Sequence, residues 1–370
     1  MSGVRHLYVH LPFCAHRCGY CDFVTAVGRV GEHGAYAEAI VGELERERRR
    51  LAPDVETVFV GGGTPTFTEP AALRRVLAAL PDADELTVEA NPETVTPALA
   101  AVLREVGVTR VSVGAQSFDE RLLEVLERVA GPDDVRRAVH TLRDAGFDNI
   151  SLDLVYGIPG QSAADLEADL ASALALEPEH LSCYELEAKP GTRFTHAHGA
   201  ELARQAEAME GYAEQVVETL TGAGYRWYET ANFCRKAEGE RELRAQHNLA
   251  IWRGADYLGI GVGAVSTLGS ERRRNAPSVG RYVTALAAGK DPPREVELLD
   301  EGTRAVELLM LGLRLDEPFA IDESGVAGVV DRDALDRLVD RGLVERRNGS
   351  VLLSPRGRLL GGAVTAELLA

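Results

Sequence analysis

At 370 residues, 45% hydrophobic and 26% charged, the chain can bury a large core and divide into about two or three domains. A formal net charge of −18 argues against non-specific binding to nucleic acid or to an anionic membrane, because both would be repelled. No apolar run approaches a bilayer span, and residues 1–6 have no signal-peptide core. Five cysteines, an odd number with three clustered, do not suit a secreted disulfide framework and point to a reducing cytoplasm.

The first half alternates strands and helices. Short apolar, β-branched runs at 4–10, 57–61, 85–90, 110–114, 150–155 and 180–186 predict strands. Amphipathic stretches at 36–51, 70–80, 96–106, 119–129, 133–145 and 162–176 predict helices, one opened by Ser162 with Asp165 and another closed by Gly146. Parallel strands need helical crossovers, so this alternation predicts a parallel sheet. Similar βα units favour an incomplete parallel (β/α)6 barrel over an open doubly wound sheet. The expected fold class is therefore α/β, followed by an α+β C-terminal region.

The unusual residues gather at the C-terminal ends of these strands. The segment Cys14-Ala-His-Arg-Cys18-Gly-Tyr-Cys21 follows the first, and Gly61-Gly-Gly-Thr64 the second. Glu89 ends the third, Gln116 follows the fourth, Asp153 lies in the fifth and Tyr184 in the sixth. In a βα barrel these ends share one face, where active sites are built. Thiolates favour iron–sulfur clusters and zinc. The spacing supplies three ligands where both common sites want four, and Phe23 stands at the next alternate position. A [4Fe–4S] cluster on three cysteines leaves one iron open to an exogenous ligand. The other reading is a zinc site completed by His10 or His16. No second cysteine pair stands nearby, however, and the motif opens a βα domain instead of a small zinc fold. The glycines after the second strand let backbone approach a ligand closely, as would suit a molecule at the open iron.

Beyond residue 187 the pattern changes. Residues 201–222 predict one long helix, 225–228 form an aromatic run, 232–244 are charged and loop-like, and 259–269 are glycine-rich and apolar. Helical stretches at 302–313 and 333–341 precede a strand–turn–strand–helix pattern over 343–369, which is winged-helix-like. With this net charge, a structural or partner-binding tail is expected there rather than a DNA reader. The expected domains are 1–230, a connecting region 231–292 and a C-terminal module 293–370.

The cysteine motif, residues 61–66 and Leu152-Asp-Leu-Val-Tyr-Gly-Ile-Pro-Gly160 together resemble the radical S-adenosylmethionine (radical SAM) superfamily. More narrowly, Tyr8-Val-His-Leu-Pro-Phe-Cys14, Val88-Glu-Ala-Asn-Pro92, Val113-Gly-Ala-Gln-Ser-Phe118 and Gly261-Val-Gly-Ala-Val-Ser266 resemble its oxygen-independent coproporphyrinogen dehydrogenase-like group. The resemblance implies a [4Fe–4S] cluster on Cys14, Cys18 and Cys21, with SAM on the fourth iron. It implies Tyr8, Tyr20, Gly62, Gly63, Thr64, Glu89, Gln116, Arg128 and Asp153 around these cofactors. Arg128 suits a carboxylate, and Glu89 and Asp153 suit hydroxyl or ammonium donors. The ordinary alternatives are a solvated charge on a helix face for Arg128 and a hydrogen bonder in the barrel core for Asp153, and the resemblance favours the ligand roles.

Dehydrogenases of this group typically carry a fourth cysteine two residues after the third, where this chain has Phe23. That form resembles the heme-chaperone (HemW-like) branch, which also carries a His-Asn-x-x-Tyr-Trp motif. His247, Asn248 and Trp252 match it, with Ile251 in place of the tyrosine; Ala130 stands where the group usually has histidine. The implied function is binding heme, with His247 as iron ligand, and passing it to an acceptor protein. The alternative at His247 is a His–Asn pair capping a helix, with Trp252 in the core. The alternative for the whole chain is a radical SAM oxidoreductase acting on a porphyrinogen. Expected partners are heme or a porphyrin and a heme-accepting protein, with no nucleic acid and at most peripheral membrane contact; homodimerisation is left open. Cys183 and Cys234 are expected to pack, not to ligate.

Overall fold

The computed structural model describes residues 3–189, 193–236, 241–322 and 325–369. Its first six strands are β1 (His6–Leu11), β2 (Thr57–Gly62), β3 (Glu85–Ala90), β4 (Arg110–Gln116), β5 (Ile150–Tyr156) and β6 (His180–Glu185). Between them run α1 (His33–Glu47), α2 (Pro70–Ala79), α3 (Pro97–Glu105), α4 (Glu120–Val125), α5 (Pro132–Asp144) and α6 (Ala163–Leu174). All six strands pair in parallel, in chain order. Strand side chains alternate between faces. One row (Leu7, Val9, Val58, Val60, Val88, Val111, Leu152, Leu181) lies in the hydrophobic core beneath the helices. The other row is polar and faces the barrel lumen: His6, Tyr8 and His10 on β1, Thr87 and Glu89 on β3, Arg110 and Ser112 on β4, Ser151 and Asp153 on β5.

Four expectations need correction. The segment 259–269 supplies a seventh parallel strand, because Leu258–Ile260 pairs beside β1. At the opposite sheet edge an antiparallel hairpin follows β6. Its strands are β7 (Tyr225–Glu229), the aromatic run, and β8 (Asn232–Arg235), which lies where the charge pattern had suggested loop. With Leu258–Ile260 as β9, the sheet order is β9-β1-β2-β3-β4-β5-β6-β8-β7. The long helix at 201–222 is two helices, α7 (Arg193–Gln205) and α8 (Met209–Gly222). Gln205, the last residue of α7, turns its amide inward and donates to the Ile158 and Gln161 carbonyls. Finally, the helix expected over 119–129 stops at Val125, since Glu127 adopts a left-handed φ of 56°. That reversal takes Arg128 off the helix face. The Ser162–Asp165 capping box and the left-handed Gly146 stand as expected.

The remainder comprises α9 (Gln246–Trp252), a three-stranded antiparallel sheet of β10 (Val265–Leu268), β11 (Glu271–Asn275) and β12 (Arg294–Leu298), and α10 (Val279–Ala287). A second hydrophobic core, including Leu309, Leu335, Leu338, Val351 and Leu353, gathers α11 (Glu301–Gly312), α12 (Arg332–Asp340) and a small antiparallel sheet. This unit docks on β7: Arg226 pairs with Asp316, and Arg358 donates to the Trp227 carbonyl while lying 3.7 Å over its ring. Among the described residues no helix is long and apolar enough to cross a membrane.

Glu43 of α1 ties the seventh strand to the barrel. Its buried carboxylate accepts from the Tyr282 hydroxyl (2.6 Å), the Gly261 N–H (2.8 Å) and the Asn275 amide (2.8 Å). Removing one partner of such a network strands the rest. Glu43→Ala is expected to cost about 3–5 kcal/mol in urea unfolding, and Glu43→Gln clearly less.

Candidate functional site

The loop after β1 carries Cys14, Cys18 and Cys21. Cys14 is buried and the other two are half-buried; all five cysteines of the chain are free thiols. Burial raises the Cys14 and Cys21 thiols above the ordinary range, so a metal must displace their protons to bind. The loop is pinned from both sides. The Ala26 N–H donates to the Pro12 carbonyl at 2.7 Å, and Tyr20 packs its edge against Phe194. From β2, the Thr64 hydroxyl points at Cys14 Sγ (3.5 Å). From the turn after α4, Arg128 Nη1 points at Cys18 Sγ (3.6 Å).

The glycine loop fits against this loop with no space to spare. A Cβ on Gly63 would lie 2.5 Å from the Pro12 carbonyl oxygen and 2.9 Å from Cys14 Sγ. Gly62 has a φ of +118°, and a Cβ there would strike the His10 ring. Its N–H donates to Glu89 Oε2 at 3.1 Å, joining the β2 loop to the end of β3.

The Arg128 guanidinium also donates to Asn91 Oδ1 (3.2 Å) and the Gly114 carbonyl (2.9 Å), while its Nε is buried without a partner. Gln116 holds a left-handed φ of 65°, a strained geometry at the end of β4. Asp153 accepts from the Ser112 hydroxyl at 3.0 Å. Burial raises the Asp153 pKa and lifts that of Glu89 to about 7, with the Asp153 charge adding to the latter. Tyr8 donates to His10 Nδ1 (3.0 Å), and the other nitrogen of His10 faces the Val24 carbonyl (2.8 Å). Burial lowers the His10 pKa to about 4, so the ring is neutral.

Cys14, Cys18, Cys21, Tyr8, Tyr20, Gly62, Gly63, Thr64, Glu89, Gln116, Arg128 and Asp153 thus belong to one site at the C-terminal ends of the strands. Asn91, Ser112 and His10 hold these residues in place; Asn91 and His10 lie inside the sequence motifs, and only Ser112 carried none. The zinc reading loses His10, whose two nitrogens are both engaged, while His16 stands half-exposed 3.8 Å from Glu127. Among the described residues no three His, Cys, Asp or Glu side chains converge on one metal position. A cubane cluster does not need that convergence, since it takes one thiolate per iron.

His247, Asn248 and Trp252 are not part of this site. They lie on α9, beneath the opposite end of the barrel. His247 is 2% exposed and its Nδ1 meets Thr57 Oγ1, at the start of β2, at 2.9 Å. Its backbone N–H, like that of Gln246, donates to the Glu85 carboxylate at the start of β3. Its ring lies against Phe59, and its Nε2 is buried without a partner. Burial, with His6 nearby, lowers its pKa to about 3. The His–Asn pair does not cap α9: the N-cap residue is Ala245, and the side chain that meets the first N–H groups is that of Glu85. Trp252 is half-buried against Tyr228. A cleft of about 650 Å³ opens beside α9 and is lined by His6, Thr57, Gln246 and Ala250, without His247 itself. The carboxylate of Glu317 grips Arg244 and Arg253, which flank the two ends of α9. The helix is therefore clamped across the barrel floor.

Residues 8–173 match the Radical SAM superfamily. Full-length relatives include the heme chaperone HemW of Bacillus subtilis, 32% identical with 99% of each chain covered. HemW of Mycobacterium tuberculosis H37Rv is 35% identical over 98% of this chain and 94% of that one. HemW of Escherichia coli is 36% identical over 70% and 68%. Among solved structures, coproporphyrinogen III oxidase (HemN) from Escherichia coli, described as a radical SAM enzyme, superposes with a TM-score of 0.78. That comparison runs at 21% identity and covers 99% of this chain and 90% of the other.

Gly63→Ala is expected to push the two loops apart. Iron bound per chain after anaerobic reconstitution should fall at least threefold (roughly, for a backbone clash in a packed site), while the circular dichroism spectrum stays unchanged.

Proposed function

The chain belongs to the HemW heme-chaperone family of the radical SAM superfamily, and from that premise we propose that it binds heme and hands it to an acceptor protein, with a [4Fe–4S] cluster and SAM at the opposite end of the same barrel. Five free thiols suit a reducing cytoplasm as its compartment.

The residues present fit each group. Three thiols on one pinned loop would take three irons of a cluster, and Thr64 and Arg128 would donate to the thiolates. The fourth position belongs to SAM, whose amino and carboxylate groups need partners of opposite sign; Glu89 and Arg128 supply them. The unpartnered Nε of Arg128 is one donor awaiting an acceptor. Asp153, steadied by Ser112, would accept from ribose hydroxyls. A reduced cluster with SAM bound supplies radical or electron-transfer chemistry. The chain's own contribution is to hold these groups between the cysteine loop and the C-terminal ends of the strands.

The heme reading is carried by His247. A histidine that binds iron commonly has one ring nitrogen held by a second residue and the other bare. His247 Nδ1 is held by Thr57, and Nε2 is buried with no partner. A lowered pKa keeps the imidazole neutral at working pH, as ligation requires. Since His247 is absent from the wall of the neighbouring cleft, heme would reach it only when α9 moves, and Glu317 with its two arginines is the contact that must loosen.

Anaerobic heme titration tests the reading. Wild type should bind saturably, and His247→Ala should weaken binding at least tenfold; unsaturable binding by wild type would overturn it, as would protoporphyrinogen formation from coproporphyrinogen III with SAM and reductant. Glu317→Gln should speed heme association without changing the bound spectrum, read by stopped-flow absorbance. SAM affinity should depend on pH through Glu89. Its carboxylate form, which attracts the ammonium group, predominates above about pH 7. Affinity of the reconstituted protein should therefore fall about tenfold from pH 8 to pH 6, and Glu89→Gln should flatten the slope.

A further inference from the structure

On the barrel floor one hydroxyl joins two imidazoles. Thr57 Oγ1 lies 2.9 Å from His6 Nδ1 and 2.9 Å from His247 Nδ1. Both rings are buried. A threonine hydroxyl has one hydrogen, so it donates to one ring and accepts an N–H from the other. The tautomers of the two histidines are therefore coupled. If Thr57 donates to His6, His247 carries its proton on Nδ1 and its Nε2 is bare. If Thr57 donates to His247, the proton of that ring sits on Nε2, which then cannot ligate.

The outer end of the chain breaks the tie. His6 Nε2 faces Glu56 Oε2 at 3.9 Å, across the wall of the cleft. That carboxylate also pairs with Arg5, through its other oxygen. The separation is too long for a hydrogen bond, so the carboxylate acts through its charge, which favours an N–H on the nitrogen facing it and is partly offset by Arg5. His6 then carries its proton on Nε2, its Nδ1 accepts from Thr57, and Thr57 accepts from His247 Nδ1–H. We propose that Glu56, His6 and Thr57 are positioning residues that set the tautomer of His247 so that its buried Nε2 is unprotonated and ready for a metal. Nothing faces that nitrogen, neither an acceptor for an N–H nor a donor for a lone pair, so its tautomer is left to the contact that Nδ1 makes. The inference rests on the heme reading for its purpose, but its geometry is complete in the heme-free protein.

The test is long-range proton–nitrogen NMR on heme-free protein labelled at histidine nitrogen, followed by anaerobic heme titration of the same samples. Wild-type His247 is expected as the Nδ1–H tautomer alone. Thr57→Val keeps a β-branched residue at the start of β2 and should shift His247 to the Nε2–H form, with heme affinity about tenfold lower. His6→Leu removes the acceptor of the Thr57 proton and should do the same. His6→Gln offers an amide oxygen in its place and should rescue both readouts. Glu56→Gln should give a mixture of tautomers. An Nε2–H tautomer in wild type, or a tautomer indifferent to Thr57→Val in a folded variant, overturns the relay even if His247→Ala abolishes heme binding. The reverse result, with the tautomer set as described and heme affinity unchanged by His247→Ala, supports the relay and overturns the heme reading alone.

Discussion

Burying a row of polar side chains inside a parallel barrel is the constraint on which this structure depends. The outward row of each strand is aliphatic and meets the helices, so the inward row is free to carry chemistry, provided every group finds a partner. Near the cysteine loop those partners are close. Asp153 has Ser112, Glu89 has the Gly62 N–H, and His10 has Tyr8 and the Val24 carbonyl. Lower down, His180 is held between Ser151 and Tyr228. The partnering is incomplete: Thr87 Oγ1 and Arg110 Nε inside the lumen, Arg128 Nε at one end and His247 Nε2 at the other are buried without partners, and of these the last two lie where the proposed ligands would bind.

The cysteine end was legible in the sequence because its chemistry is local. Three thiols within eight residues, a glycine loop after a strand and carboxylates at strand ends are contiguous signals, and the topology brings them to one face. Arg128 shows the limit of such reading. Helical periodicity predicts a solvent-facing position, whereas one left-handed residue, Glu127, turns the chain and sends the guanidinium to Cys18. Left-handed geometry at a glutamate leaves no compositional trace. The seventh strand was hidden for a related reason: three residues, Leu258–Ile260, are too short to show a period amid glycines.

His247 was legible as a motif but not as a place. Its neighbours His6, Thr57 and Glu85 begin three different strands, and Thr57 is 190 positions away in sequence. Only the fold brings strand starts together beneath one short helix. Nothing in the composition of 246–252 distinguishes a helix laid across a barrel floor from one packed on its flank.

Cofactor loop and His247 thus sit at opposite ends of one lumen, and what separates them is a run of rings. Tyr8, hydrogen-bonded to His10 beneath the glycine loop, stacks on Phe59 at 6.2 Å between ring centres, and Phe59 meets His247 at 5.4 Å. Tyr8 and Phe59 are half-buried and His247 is buried, and because the three rings are in contact a shift of Tyr8 on ligand binding would be felt at Phe59. Spatial continuity is not coupling; that requires two arrangements whose balance both ends bias. The floor has a candidate for the second arrangement, since α9 is held in part by groups that can re-form elsewhere: the Glu85 carboxylate on its N-terminus, Glu317 on its flanking arginines and Thr57 on its histidine. None of the three is a hydrophobic anchor. The same helix also buries Leu249 and packs Trp252 on Tyr228, so lifting it off the imidazole must break these apolar contacts together with the three polar ones.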